Sequence, residues 1–245
     1  MELLFEQTVT VRDNDIDQYG QLKLSALLHY AQEAAGGHCE KIGFDWDTMA
    51  SKGLFWAVLR HRIVIHRLPG SGEAMTVQTW PMPASRTAYP RMVRGLDQDG
   101  QVLFEVISLW ALMNMETRAM VLPARSGVEV PGILRNCQID PPASLPPVIS
   151  ENSVLWTVEQ ADLDRNGHVN NTRYLEHAEA LTGAIRAEHT PKEVTVCYLA
   201  ECRLGQSVSL NWALSEDGIF TLDGCRERTD VSGKTERVFS VKIRY

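Results

Sequence analysis

Residues 10–36 read TVRDNDIDQYGQLKLSALLHYAQEAAG, and residues 157–183 read TVEQADLDRNGHVNNTRYLEHAEALTG. Laid over one another at a shift of 147 without a gap, they are two copies of one pattern. Thr10 meets Thr157, Val11 meets Val158, Asp15 meets Asp162, Asp17 meets Asp164 and Gly20 meets Gly167. Leu28 then meets Leu175, Ala31 meets Ala178 and Gly36 meets Gly183. Both copies run on into valine- and isoleucine-rich segments, with Arg67-Leu68 and Arg203-Leu204 at similar places. A glycine-centred turn follows in each, at Asp97–Gly100 and at Asp230–Gly233. An internal repeat of this size means two copies of one folding unit.

Working outward, the junction is marked by proline. Residues 123–147 hold six of the eleven prolines, a density that no helix interior or central strand accommodates. The expected layout is a first unit over 1–122, a proline-rich linker over 123–152 and a second unit over 153–245. Within each unit a short strand leads into an Asp-rich turn, then one main helix, then several strands. Leu24, Leu27, Leu28, Ala31 and Ala34 recur at helical spacing in the first copy, and Tyr174, Leu175, Ala178, Leu181 and Ile185 in the second. Residues 102–112, 194–203 and 237–245 read as strands. One helix followed by an antiparallel meander makes each unit α+β, its sheet wrapped around the helix.

Composition narrows the function. No apolar run approaches the roughly 18–20 residues of a membrane span. Met1–Glu6 carries no basic n-region, so neither a secretory signal nor a transit segment is expected. The five cysteines, Cys39, Cys137, Cys197, Cys202 and Cys225, form no CxxC pair, which argues against a disulfide framework or zinc ribbon and for a reducing cytoplasm. A net charge of −7 argues against nucleic acid as a partner. An acidic partner would need a local basic patch, for which Arg60, Arg62 and Arg67, or Arg86, Arg91 and Arg94, are candidates unless they are merely solvated strand faces.

The turn before the second helix, Asp162 to Asn171, is compatible with two chemistries. D-x-D-x-N-G begins like a calcium loop, but position twelve, where a bidentate glutamate is required, is Arg173. Alternatively Asp164, Asn166 and His168 form an active-site cluster ahead of a helix that Asn170 or Asn171 can cap. The helix N-terminus offers free amides and partial positive charge to a carbonyl oxygen that becomes negative during acyl transfer. A carboxylate or His168 could activate water, and Asn166 could orient water or substrate. Asp and Asn are also ordinary turn residues. The repeat bears on the choice: the aspartates and glycine agree between copies, whereas Asn166, His168 and Asn170 face Tyr19, Gln21 and Lys23. This pattern fits two copies of one scaffold, of which one is expected to do chemistry and the other to hold the substrate tail.

D-L-D-x-N-x-H-V-N-N-x-x-Y, standing here as Asp162 to Tyr174, resembles the hallmark of the fatty acyl-acyl carrier protein thioesterases of plants and bacteria. Leu54–Val58, Trp110–Arg118 and Ala200–Arg203 resemble further segments of that family, in the expected order, although the arginine usual before the glutamate is Ala200 here. The resemblance covers nearly the whole chain. It implies a tandem (double) hotdog, two antiparallel sheets each around a central helix, with no metal or cofactor. It implies hydrolysis of fatty acyl-acyl carrier protein, in fatty acid biosynthesis, to free fatty acid and carrier protein, with acyl-chain selection in the N-terminal hotdog and catalysis in the C-terminal one. Matched by position, the catalytic residues would be Asp164, Asn166, His168 and Glu201, with Cys202 as a candidate nucleophile. Val169, Asn170, Asn171, Trp56 and Met49 are candidate substrate contacts. Neighbours on a strand point to opposite faces, so Glu201 and Cys202 cannot both face the site without a bulge. A neighbouring glutamate also opposes thiolate formation, which favours Glu201. A coenzyme A thioesterase and a non-catalytic acyl-binding protein are the alternatives. A monomer or homodimer is expected.

Overall fold

The computed structural model describes residues 2–135, 139–164, 166–228 and 233–245. Cys137 and most of the turn expected at Asp230–Gly233 lie outside them. The chain divides into two compact units, Met1–Pro142 and Ala143–Tyr245.

In the N-terminal unit, strand β1 (Phe5–Thr10) leads through a tight turn into helix α1 (Leu24–Ile42) and short α2 (Trp46–Ala50). Strands β2 (Leu54–Ile65), β3 (Ala74–Pro81), β4 (Tyr89–Leu96), β5 (Val102–Asn114) and β6 (Met120–Val121) follow, then the helical turn α3 (Pro123–Ser126). The sheet is antiparallel, in the order β1-β3-β4-β5-β2, with β6 on β5. Helix α1 lies against β1, β3 and β4. It buries Leu24, Leu27, Leu28, Ala31 and Ala34, the positions that helical periodicity selects, and ends at Gly43 in the left-handed conformation.

The C-terminal unit repeats this plan with β7 (Ser153–Thr157), α4 (Asn171–Leu181), α5 (Gly183–Arg186), β8 (Glu193–Tyr198), β9 (Ser207–Leu214), β10 (Ile219–Glu227) and β11 (Thr235–Arg244). Its antiparallel order, β7-β9-β10-β11-β8, is the same permutation. The fold is therefore the expected α+β tandem hotdog, one helix against one antiparallel sheet in each unit.

The repetition reaches individual contacts. Gly95 faces Phe104 across β4–β5, and Gly224 faces Phe239 across β10–β11. A Cβ at Gly95 would lie 2.4 Å from the Phe104 ring, and one at Gly224 would lie 2.0 Å from the Phe239 ring. A register shift follows each glycine immediately. A strand glycine of this kind admits an aromatic ring over the backbone and marks a bulge.

A second bulge corrects the sequence alignment. His66 and Arg67 N–H both donate to the Leu103 carbonyl, as Leu199 and Ala200 N–H both donate to that of Val238. Arg67 thus corresponds to Ala200, and Arg203 to Gly70, not to Arg67. The strand expected over 194–203 ends at Tyr198, because the bulge takes the chain out of the sheet before Glu201.

The proline-rich stretch is parcelled between the units. Tyr89 Oη donates to the Val128 carbonyl, and Gly132 packs against the Met82–Pro83 backbone. Further on, Val148 N–H donates to Asp223.

Candidate active site

The site is built on the turn between β7 and α4. Asp164 Oδ1 accepts from the backbone N–H of Asn166 (2.8 Å) and of His168 (3.3 Å), while Asp164 N–H donates to the His168 carbonyl (2.8 Å). Gly167, at φ 73°, closes the loop. The N-terminal copy is the same turn. Asp17 Oδ1 accepts from Tyr19 and Gln21 N–H, and Gly20 sits at φ 76°. Bridges Ile16–Leu22 and Leu163–Val169 hold the two necks alike. The shared aspartates and glycines therefore shape the loop, and the residues that differ are those it displays.

In the C-terminal turn these are Asn166 and His168. Asn166 is exposed, and its Nδ2 donates to Asp164 Oδ2 at 3.2 Å. His168 Nε2 lies 3.1 Å from Glu201 Oε2, with side-chain exposures of 18% and 42%. A carboxylate only accepts, so Nε2 carries the proton in this contact. Arg203 Nη2 stands 3.9 Å from the same carboxylate oxygen. In the N-terminal copy the corresponding residues are Gln21 and, by the bulge register, Leu68.

Helix α4 starts immediately afterwards. Asn170 is its cap, Oδ1 accepting from Thr172 N–H and Oγ1. Asn171 is the first helical residue, and its carbonyl accepts from Tyr198 Oη. Arg173, which displaces the calcium-loop glutamate, donates to the Ala161 carbonyl and pairs with Asp162 and Glu176. Among the described residues no group of three or more His, Cys, Asp or Glu side chains is arranged to hold a metal ion.

Cys202 is 0% exposed. Burial raises its thiol pKa above the ordinary value, only partly offset by the Tyr174 hydroxyl bonded to it and by the Arg226 guanidinium. Burial likewise holds Tyr174, the last residue of the hallmark, well above the usual tyrosine range. The Cys202 carbonyl accepts from Val169 N–H at 2.9 Å, and Val169 is itself buried. The sheet and turn thus bring Asp164, Asn166, His168 and Glu201 together, with Cys202 underneath.

The other candidates lie in the N-terminal unit. Met49 is fully buried in a core cluster with Leu54, Tyr89, Leu112 and Val128, against which Trp56 packs. Trp56 Nε1 donates to the Phe44 carbonyl, and its ring meets Tyr89 edge-on. Most of the arginines proposed as a basic patch have local partners. Arg91 is buried, Arg94 pairs with Glu105, Arg67 with Glu73 and Asp97, and Arg62 with Asp140.

One residue without any sequence motif also touches the site, backed by Gln206. Arg226 Nη1 donates to the Glu201 carbonyl and to Gln206 Oε1, both at 2.6 Å. Arg226 lies 25 residues beyond Glu201, which leaves no local pattern to find.

Fold and site together define the class: a double-hotdog protein whose C-terminal unit sets an imidazole, His168, against a carboxylate, Glu201, at the start of its main helix. The model of the acyl-ACP thioesterase N-terminal domain matches residues 2–123, and that of the C-terminal domain matches residues 148–240. The chain belongs to the acyl-ACP thioesterase family. It is 26% identical over 224 residues to a chloroplastic palmitoyl-acyl carrier protein thioesterase of Gossypium hirsutum, covering 82% of this chain and 52% of that protein. It is 25% identical over 219 residues to a chloroplastic dodecanoyl-[acyl-carrier-protein] hydrolase of Cinnamomum camphora, covering 82% of this chain and 57% of that one. The chain thus spans a little over half the length of these curated relatives. Among solved structures, an acyl-ACP thioesterase from Bacteroides thetaiotaomicron superposes with TM-score 0.88 at 24% identity, covering 98% of this chain and 97% of that one. A 12:0-ACP thioesterase from Umbellularia californica gives 0.83 at 21% identity, covering 100% and 97%. At these identities the structures establish the fold.

Proposed function

We propose that the protein hydrolyses the thioester of fatty acyl-acyl carrier protein, releasing free fatty acid and the carrier thiol. The contact between His168 and Glu201, on a turn that delivers the chain into a helix N-terminus, carries this reading. Membership of the acyl-ACP thioesterase family supports it.

Water is the nucleophile. Glu201, held by His168 Nε2–H, takes a proton from water as the oxygen adds to the thioester carbonyl carbon. The carbonyl oxygen becomes an oxyanion beside the first-turn amides of α4. Asn166, oriented by Asp164, donates to the water or to the substrate carbonyl. The intermediate then collapses, the C–S bond breaks, and the proton held on Glu201 passes to the leaving sulfur. Val169, Asn170 and Asn171 lie where substrate would cross the helix start. The N-terminal unit, with Gln21 and Leu68 at the corresponding positions, takes the acyl tail, with Met49 and Trp56 as candidate contacts.

Among the described residues no helix is long and apolar enough to cross a membrane. A cytoplasmic location and a monomeric or homodimeric state are part of the proposal, tested by fractionation and by analytical ultracentrifugation. The decisive assay offers purified protein a panel of acyl-carrier-protein and acyl-coenzyme A thioesters and follows thiol release. Preferential turnover of the carrier-protein esters is expected. No release from any ester would overturn hydrolysis, and preferential turnover of coenzyme A esters would overturn the carrier assignment.

A further inference from the structure

Glu201 needs something to hold it. Strand β8 ends at Tyr198, so no sheet ladder fixes the backbone at Glu201 and Cys202. Hydrogen bonds to the main-chain carbonyls hold it instead. Val169 N–H, one residue beyond His168, donates to the Cys202 carbonyl, and Arg226 Nη1 donates to the Glu201 carbonyl. The two successive peptides on either side of Cys202 are thus held, the Glu201–Cys202 one from β10 and the Cys202–Arg203 one from the histidine side.

Arg226 is well placed for this. Its side chain is only 15% exposed. Nε and Nη2 both reach Glu236 Oε1 on the neighbouring strand, at 2.9 and 2.8 Å, which fixes the guanidinium plane. Nη1 then also holds Gln206 Oε1, which accepts in turn from Arg203 N–H at 2.8 Å. One planar guanidinium therefore joins β11, the Glu201 carbonyl and the far end of the 201–206 loop. A lysine ammonium cannot span these acceptors in the same way.

The repeat provides a second line of support. Counting two residues past the bulge glycines, Arg226 corresponds to Asp97 in the N-terminal unit, where Leu68 stands at the glutamate position. The unit without the glutamate also lacks the arginine, and Asp97 instead meets Arg67.

We propose that Arg226 is a positioning residue for Glu201, acting through the Glu201 main-chain carbonyl. This rests on the thioester-hydrolase reading above.

The test is kinetic. In Arg226→Met, which keeps the apolar stem but no donors, kcat should fall about 10–100-fold, the scale of a misplaced catalytic group, with KM within about threefold. In a Glu201→Gln background the same change should lower the residual rate less than about threefold, because there is no carboxylate left to place. An unchanged kcat, a loss confined to KM, or an equal loss in both backgrounds would overturn the proposal. Where Arg226→Met does not yield folded protein, Arg226→Lys decides: a loss of about tenfold in kcat alone supports it, and full activity overturns it. A wild-type protein that releases no thiol at all would sink the hydrolase reading itself, a result distinct from an active wild type with an equally active Arg226 variant.

Discussion

His168 Nε2 stands 3.1 Å from Glu201 Oε2, although the two residues come from a turn and from a loop that follow different strands. In the proposed mechanism they act as one unit. His168→Ala and Glu201→Gln should each lower kcat by at least ~10²-fold, the scale of a positioned base. The double variant should be little slower than either single one, because groups that act together are strongly non-additive. Steady-state thiol release with folded variants measures this; full additivity would separate the two roles.

Cys202, next in the chain, has the opposite surroundings. A wholly buried thiol whose ionisation burial opposes is a poor source of thiolate at neutral pH. Cys202→Ala should keep kcat within about fivefold of wild type, and iodoacetamide should leave Cys202 unlabelled in the native protein, since the thiolate is the reactive form. Near-complete loss of hydrolysis in a folded Cys202→Ala protein would restore the cysteine as nucleophile.

Asp17 and Asp164 make the same turn, but only one turn displays an imidazole. Asp17→Ala and Asp164→Ala should each lose about 1–3 kcal/mol, as expected when hydrogen bonds to a charged group are removed. Only Asp164→Ala should also lower kcat, through Asn166 and His168. Urea unfolding and turnover, measured on both variants, separate shape from chemistry. Wild-type turnover in Asp164→Ala would contradict its placement in the site.

The parts legible in the sequence were those with local causes. Helix periodicity, the Asp and Gly of the turns and the differing display residues all sit within one gapless shift, so the two-unit α+β plan and the turn cluster could be read directly. The shift fails beyond α1 because the second copy lacks a counterpart of α2, so the bulge shared by His66–Arg67 and Leu199–Ala200 recurs at a smaller offset. Arg203 was therefore set against Arg67, and the strand was carried through Glu201. Charge pairing is the other blind spot. Arg67 and Arg94 read as a patch because Asp97, beyond β4, and Glu105, on β5, meet them only in the folded sheet, and Arg226 reaches Glu201 only once β10 is in place.

Gly224 and Phe239 are the tightest of the paired contacts. Gly224→Ala would force the ring to move, a kind of overpacking that costs about 1–3 kcal/mol. Phe239→Leu in the same chain should recover part of the loss, because the smaller side chain leaves room. Gly36→Ala is the control: it lies in α1 with nothing within 4 Å of the added Cβ, and should stabilise by about 0.5–1 kcal/mol. Chemical denaturation of the variants tests the contrast, and a neutral Gly224→Ala would refute the contact.

His61 sets a pH dependence that is separate from catalysis. It is buried on β2, its Nδ1 2.7 Å from Ser108 Oγ, and burial lowers its pKa from 6.5 to about 3. The unfolded chain therefore binds a proton near pH 6.5 that the folded chain refuses. Stability is fully present above that pH and declines as pH falls, at about 1.4 kcal/mol per unit from this one group, until the folded pKa is reached. His38 and His177, also lowered by burial, act in the same direction. The depressed carboxyl of Glu73 adds its own loss only below its ordinary 4.5. Between pH 6.5 and 5 the histidines dominate, so His61→Asn, which carries no titrating group, should flatten the stability profile in that window. Equal slopes for the variant and the wild type in urea unfolding at pH 6.5, 5.75 and 5 would show that His61 is not held neutral by the fold.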